Sequence, residues 1–147
     1  YRCELGYNSV RDKTYGGDNA TPEGRYRITE MKNTGQSRYH RAMLINYPNE
    51  DDRAEFARMR KAGQLPKGVG LGGLIEIHGE GGQGKDWTKG CVALKNSDID
   101  DLWRRVGNGT PVTIVGGDGS GGIYSDILRE RKGLAGIAKP EANGGGQ

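Results

Sequence analysis

A chain of 147 residues, 33% of them hydrophobic, is long enough to bury one core and too short for a second, and its single Phe leaves that core to aliphatics, seven Tyr and two Trp. The 22 basic and 19 acidic residues give a net charge of +3 without any run of five Lys or Arg, which argues against a nucleic-acid footprint. No stretch approaches the roughly eighteen apolar residues of a membrane-spanning helix, and no charged-then-apolar leader opens the chain.

The opening "YRCELGYN" reads as a strand, and the polar "RDKTYGGDNATPEG" after it as a loop ending at Pro22 and Gly24. "RYRITEM" sets Tyr26 and Ile28 against Arg25, Arg27 and Thr29, the period-two pattern of a half-buried strand. "SRYHRAMLINYP" extends that habit over a longer strand, with His40, Ala42, Leu44 and Asn46 on one face and Tyr39, Arg41, Met43, Ile45 and Tyr47 on the other; Pro48 ends it. "NEDDRAEFARMRKAG" then carries a capping Asn, acids in the first turn, bases in the last and Gly63 beyond, which predicts a surface helix with Phe56 and Met59 turned inward.

"LIEIH" is the next predicted strand, with Leu74, Glu76 and His78 on one face and Ile75 and Ile77 on the other. After "CVAL", Ser97 is expected to cap a second helix whose Ile99, Leu102, Trp103 and Val106 recur at helical spacing until Gly107. "TPVTIV" is a final strand. About five strands and two helices, linked mostly by loops, favour a mainly β sandwich or barrel over a doubly wound sheet. Residues 116–147 are Gly-rich and read as an appendage with one short helix at "SDILRER", leaving 1–115 as the folded domain.

Two Cys at unrelated spacings are no disulfide framework, so Cys3 and Cys91 are expected to be free, and neither has the companions of a zinc site. His78 ends a strand, and Cys91 follows thirteen positions later across a Gly-rich loop. An imidazole that reaches a thiol can take its proton and make it a nucleophile for a carbonyl, with the N–H groups of Gly90 and Cys91 as donors to the developing oxyanion. The plainer reading keeps His78 as a satisfied strand end and Cys91 as inert packing.

The positions His78, Gly79, Thr88, Lys89, Gly90 and Cys91 resemble the active-site signature of the YkuD-type L,D-transpeptidases: a strand-ending His-Gly, a Gly-rich loop, then Ser or Thr, any residue, and Gly-Cys. "GDNATPEGRYRI" and "SRYHRAMLINYPNEDD" extend the similarity over roughly Leu5 to Ile114. The resemblance implies a β-rich catalytic fold in which Cys91 attacks a peptidoglycan stem peptide, D-alanine leaves, and the thioester passes to an amine. Water in place of the amine would make the enzyme an L,D-carboxypeptidase, and a non-catalytic peptidoglycan-binding module is the reading from another class.

His78 is then the base, oriented by the Gly79 carbonyl as the resemblance implies, with Glu76 on the same strand face as a rival. The resemblance sets the strands of Arg25, Tyr26 and His40 around the cleft, so these three, with Trp87 and Thr88, are candidate substrate contacts; a purely structural role is the alternative for the first three, and anchoring of the Gly-rich loop to the core for Trp87. Three departures stand out: a shorter His-to-Cys loop carrying Trp87, Lys89 where His is frequent, and Ala93 where many members carry Arg or Asn. The resemblance further implies a monomer outside the cytoplasm, susceptibility to carbapenem-type inhibitors, no metal or organic cofactor, and an N-terminally truncated domain with an open strand edge near Tyr1 to Asn8.

Overall fold

The computed structural model describes residues 1–116. The Gly-rich segment and the helix expected at "SDILRER" fall outside the described residues. The elements run β1 (Cys3–Glu4), β2 (Gly24–Lys32), β3 (Ala42–Ile45), α1 (Glu50–Lys61), β4 (Glu76–His78), β5 (Val92–Leu94), α2 (Asn96–Trp103) and β6 (Pro111–Ile114). The strands form one curved sheet in the order β1-β5-β4-β3-β2-β6, in which only β4 and β5 pair in parallel. This half-barrel with two helices is the mainly β architecture expected.

The longest strand follows its pattern closely. Tyr26 and Ile28 of β2 are buried while Arg25, Arg27 and Thr29 are exposed, so alternation puts one face into the core. Tyr26, Ile45, Tyr47 and Ile75 form one cluster, and Ile28, Met43, Leu94 and Ile99 a second; Ile77 and Val112 pack against both. Helix α2 closes the second cluster with Ile99 and with the half-buried Leu102 and Trp103; it ends at Trp103, short of the expected Gly107, and Val106 packs on the cluster from beyond it. Asn49 caps α1 as expected: its side chain accepts the Asp52 N–H at 3.1 Å, and the Asp52 carboxylate accepts the Asn49 N–H at 2.7 Å.

Three local expectations are corrected. The strand expected over "SRYHRAMLINYP" is ordered as β3 only from Ala42, because residues 38–41 form a bend in which His40 has φ +66°. Leu74 likewise turns with φ +56° and is 75% exposed, so it shares no strand face with Glu76 and His78. Helix α2 starts at Asn96 after Lys95, with no side-chain cap from Ser97. The sixth strand, β5, is the "VAL" step that sequence pattern left as a connection; three residues are too few to display a period.

Candidate active site

Strand β4 sits between β3 and β5, and its register decides what surrounds His78. Ala42 of β3 and Ala93 of β5 lie directly beside it, both fully buried. Two small neighbours leave room for an aromatic enclosure. The Tyr39 ring stacks on the imidazole with centroids 4.4 Å apart and planes at 22°, and the Trp87 ring meets it edge-on at 5.8 Å. His78 is therefore only 1% exposed.

Gly79 makes the enclosure feasible. Its N–H lies 3.0 Å from both the Tyr39 and Arg41 carbonyl oxygens, which ties the 38–41 bend to the end of β4. A Cβ there would stand 2.5 Å from Asn96 Oδ1 and 2.8 Å from the Tyr39 oxygen, so only glycine admits this approach. The Gly79 carbonyl lies 2.7 Å from His78 Nδ1. A carbonyl can only accept, so Nδ1 carries the proton and the neutral ring presents Nε2 as its basic nitrogen.

Glu76 plays no part in that contact. Its carboxylate is engaged by Lys32 Nζ at 2.7 Å, and among the described residues it makes no hydrogen bond to His78.

Cys91 immediately precedes β5. Its sulfur accepts the Glu76 N–H at 3.4 Å and lies 3.7 Å from the Leu74 carbonyl oxygen. Cys3 and Cys91 are both free thiols, as expected. Cys91 and His78 line one cleft of about 300 Å³ together with Tyr7, Arg38, Tyr39, Trp87, Thr88 and Lys89. Burial pushes the Cys91 thiol above its ordinary range, against the opposing Glu76 N–H. Burial likewise pushes His78 below its ordinary value, against the raising effect of the Gly79 contact. The pair therefore rests as thiol and neutral imidazole, an arrangement suited to proton removal during attack.

The other expected site residues divide. Trp87 walls the cleft and also anchors its loop, donating its indole N–H to Glu4 at 2.8 Å. Thr88 borders the cleft but is buried; its hydroxyl donates to the Cys91 carbonyl at 2.7 Å and accepts the Gly90 N–H at 3.1 Å. It shapes the turn at Cys91, and it also occupies the Gly90 N–H that was expected to serve an oxyanion.

Arg25, Tyr26 and His40 lie away from the cleft. Arg25 is exposed on β2, its carbonyl bonded by Asn49. Tyr26 is core, its hydroxyl bonded to Asp52 at 3.0 Å. His40 pins the bend to α2 through Asp100 at 2.9 Å. The resemblance set their strands around the cleft, but alternation in β2 turns Arg25 to solvent and Tyr26 into the core, and the turn at His40 directs its side chain to α2.

Sequence reasoning missed Tyr39, Arg38 and Tyr7. Tyr39 sat on a presumed strand face, and no local pattern announces a bend stitched to a distant glycine. The cations on the cleft lining are Arg38 and Lys89, while Ala93, the departure from Arg or Asn, is sealed in the sheet.

Among the described residues no group of acidic, His and Cys side chains could hold a metal, and no helix is long and apolar enough to cross a membrane. No curated protein matches the sequence. Among solved structures, the helical cell shape determining protein Pgp2 of Campylobacter jejuni aligns with a TM-score of 0.55 and 27% identity over 76% of this chain and 36% of its own. Its K307A mutant aligns with a TM-score of 0.58 and 23% identity over 90% and 45%. Bd1075 of Bdellovibrio bacteriovorus gives a TM-score of 0.54 and 23% identity over 92% and 44%. The two likenesses at 23% identity speak to the fold alone, and the chain spans less than half of each solved chain. The description of the YkuD L,D-transpeptidase catalytic domain fits residues 1–114, so the chain belongs to that family.

Proposed function

We propose that residues 1–115 form a cysteine acyltransferase, an L,D-transpeptidase of peptidoglycan. The observation that carries this reading is the shared cleft of Cys91 and His78, with the imidazole tautomer fixed by the Gly79 carbonyl at 2.7 Å. The Cys91 sulfur attacks the carbonyl carbon that precedes a terminal D-alanine in a stem tetrapeptide, while His78 Nε2 takes the thiol proton. The C–N bond breaks, His78 returns the proton to the D-alanine amine, and a thioester remains. An acceptor amine then attacks the thioester, gives a proton to His78, and frees the thiolate to be reprotonated.

The Cys91 N–H supports the oxyanion, because the Gly90 N–H is committed to Thr88. Arg38 and Lys89 at the cleft match the carboxylates of a stem peptide in charge. Such a substrate places the domain outside the cytoplasm, acting as a monomer on the cell wall, and the likeness to Pgp2 suggests a part in wall shape. Carbapenems, whose strained ring offers a comparable acyl carbon, are expected to acylate Cys91.

Incubation with a tetrapeptide muropeptide and an amine acceptor, followed by mass analysis, tests the reading. Loss of D-alanine with incorporation of the amine is the expected result. Tripeptide product without incorporation would assign the hydrolytic L,D-carboxypeptidase reaction. Unchanged substrate together with an unreactive Cys91 would leave the binding-module reading in front.

A further inference from the structure

The Gly-rich loop that carries Trp87 toward His78 is held by one carboxylate on the edge strand. Glu4 of β1 is 8% exposed, and its two oxygens divide the loop between them: one accepts the Gly84 N–H at 2.6 Å, the other the Trp87 indole N–H at 2.8 Å. The backbone reinforces the same join. The Leu5 carbonyl accepts the N–H groups of Trp87 and Thr88, both at 3.1 Å, the Tyr7 N–H donates to the Thr88 carbonyl at 2.9 Å, and Asp86 accepts the Leu5 N–H at 2.8 Å. The Trp87 ring so held stands edge-on to His78 at 5.8 Å and to Tyr39 at 6.0 Å. A buried charge is costly unless its lone pairs are filled, and here the partners that fill them are the loop itself.

Resting on the acyl-transfer reading, we propose that Glu4 is a positioning residue for that reaction: its carboxylate fixes the 82–87 loop and, through the Trp87 indole, the wall that keeps His78 dry and correctly turned. Glu4 does not touch the reacting atoms. It acts through Trp87, which is why the side chain is a carboxylate and not merely a polar group. One oxygen takes a main-chain donor and the other a side-chain donor, whereas a Gln would turn an NH2 group toward one of them. Although burial opposes ionisation of Glu4, the N–H groups of Gly84, Trp87, Gly82 and Gln83 outweigh it and hold the carboxyl below its ordinary value. The clamp is therefore charged throughout the neutral range. It loosens only as acid protonates Glu4.

The test uses the whole protein and two readouts. NMR follows the imidazole of His78, one of only two histidines, through a pH titration, and intact-mass kinetics follows acylation of Cys91 by a carbapenem. In E4A the wall opens and water reaches the ring, so the His78 midpoint is expected to rise toward its free value. Acylation should slow by roughly tenfold, with E4Q between E4A and the unmodified protein. W87F keeps an aromatic wall without the indole donor; it should reproduce part of the E4A effect, and the E4A/W87F double variant should be no worse than E4A, because the Glu4–Trp87 contact is already lost in E4A. Should E4A fail to fold, the E4Q and W87F pair carries the same comparison.

Two results would overturn the inference. One is a His78 titration and acylation rate in the variants equal to those of the unmodified protein. The other is full additivity of E4A, or of E4Q, with W87F. Absence of any adduct on the unmodified protein, by contrast, would refute the acyl-transfer reading, and with it the purpose assigned to the clamp.

Discussion

At the scale of single residues, His78 and Cys91 both rest in neutral forms, and this sets the expected pH behaviour. His78 lies below its ordinary 6.5, so the basic imidazole persists into mild acid. The acid limb of the acylation rate should accordingly have its midpoint below pH 6.5, and a midpoint above it would contradict the burial argument. The stability linkage has the same sense: a His whose folded midpoint is depressed contributes fully above its unfolded value, and the contribution is lost as pH falls through the folded one. Cys91 is shifted the other way. Alkylation of the resting thiol by iodoacetamide should have its midpoint above the ordinary 9.0; a midpoint near neutrality would mean a preformed thiolate. Because Glu76 is paired with Lys32 while Gly79 orients the imidazole, E76Q should keep acylation within about tenfold, or 1.4 kcal/mol of transition-state energy. A thousandfold loss with the fold intact would reverse that ranking.

At the scale of elements, the sequence was most legible where one period ran long enough to count. The alternation in "RYRITEM" and the caps of α1 both appear as read. Changing Asn49 to Ala should therefore lower the unfolding free energy by about 1 kcal/mol in a denaturant titration, through loss of the cap; no change would mean that Asp52 and solvent suffice. The three-residue β5 and the 38–41 bend were not legible, since each is fixed by contacts distant in the chain: β5 by its parallel pairing with β4, the bend by Gly79.

The same distinction explains the site residues. His78 and Cys91 are candidates from local spacing and Gly79 from the family resemblance, whereas Tyr39 becomes visible only once the bend is folded over the imidazole. Gly90 is the local feature most exposed to test. With φ +135°, and a Cβ that would stand 2.7 Å from the Ala20 oxygen, Gly90→Ala should destabilise by more than about 1 kcal/mol and misplace Cys91. Unaltered stability and acylation would show that the turn tolerates a side chain.

At the scale of the whole molecule, the sheet order brings the distant parts of the signature together. The antiparallel join of β3 to β4 and the parallel join of β4 to β5 set the two alanines beside His78, while β1 binds β5 and, through Glu4, the loop between His78 and Cys91. Beyond β5, β1 has no further strand partner among the described residues. The fold class was readable from strand and helix counts; the strand order was not, because a parallel pair between two three-residue strands has no periodic signature.

The most direct test of the account is intact-mass analysis after exposure to a carbapenem, comparing the unmodified protein with C91A, C3A and H78A. One adduct is expected on the unmodified protein and on C3A, none on C91A, and adduct formation slower by roughly a hundredfold or more on H78A. An adduct that survives C91A, or is lost in C3A, would contradict the assignment of Cys91 as the nucleophile.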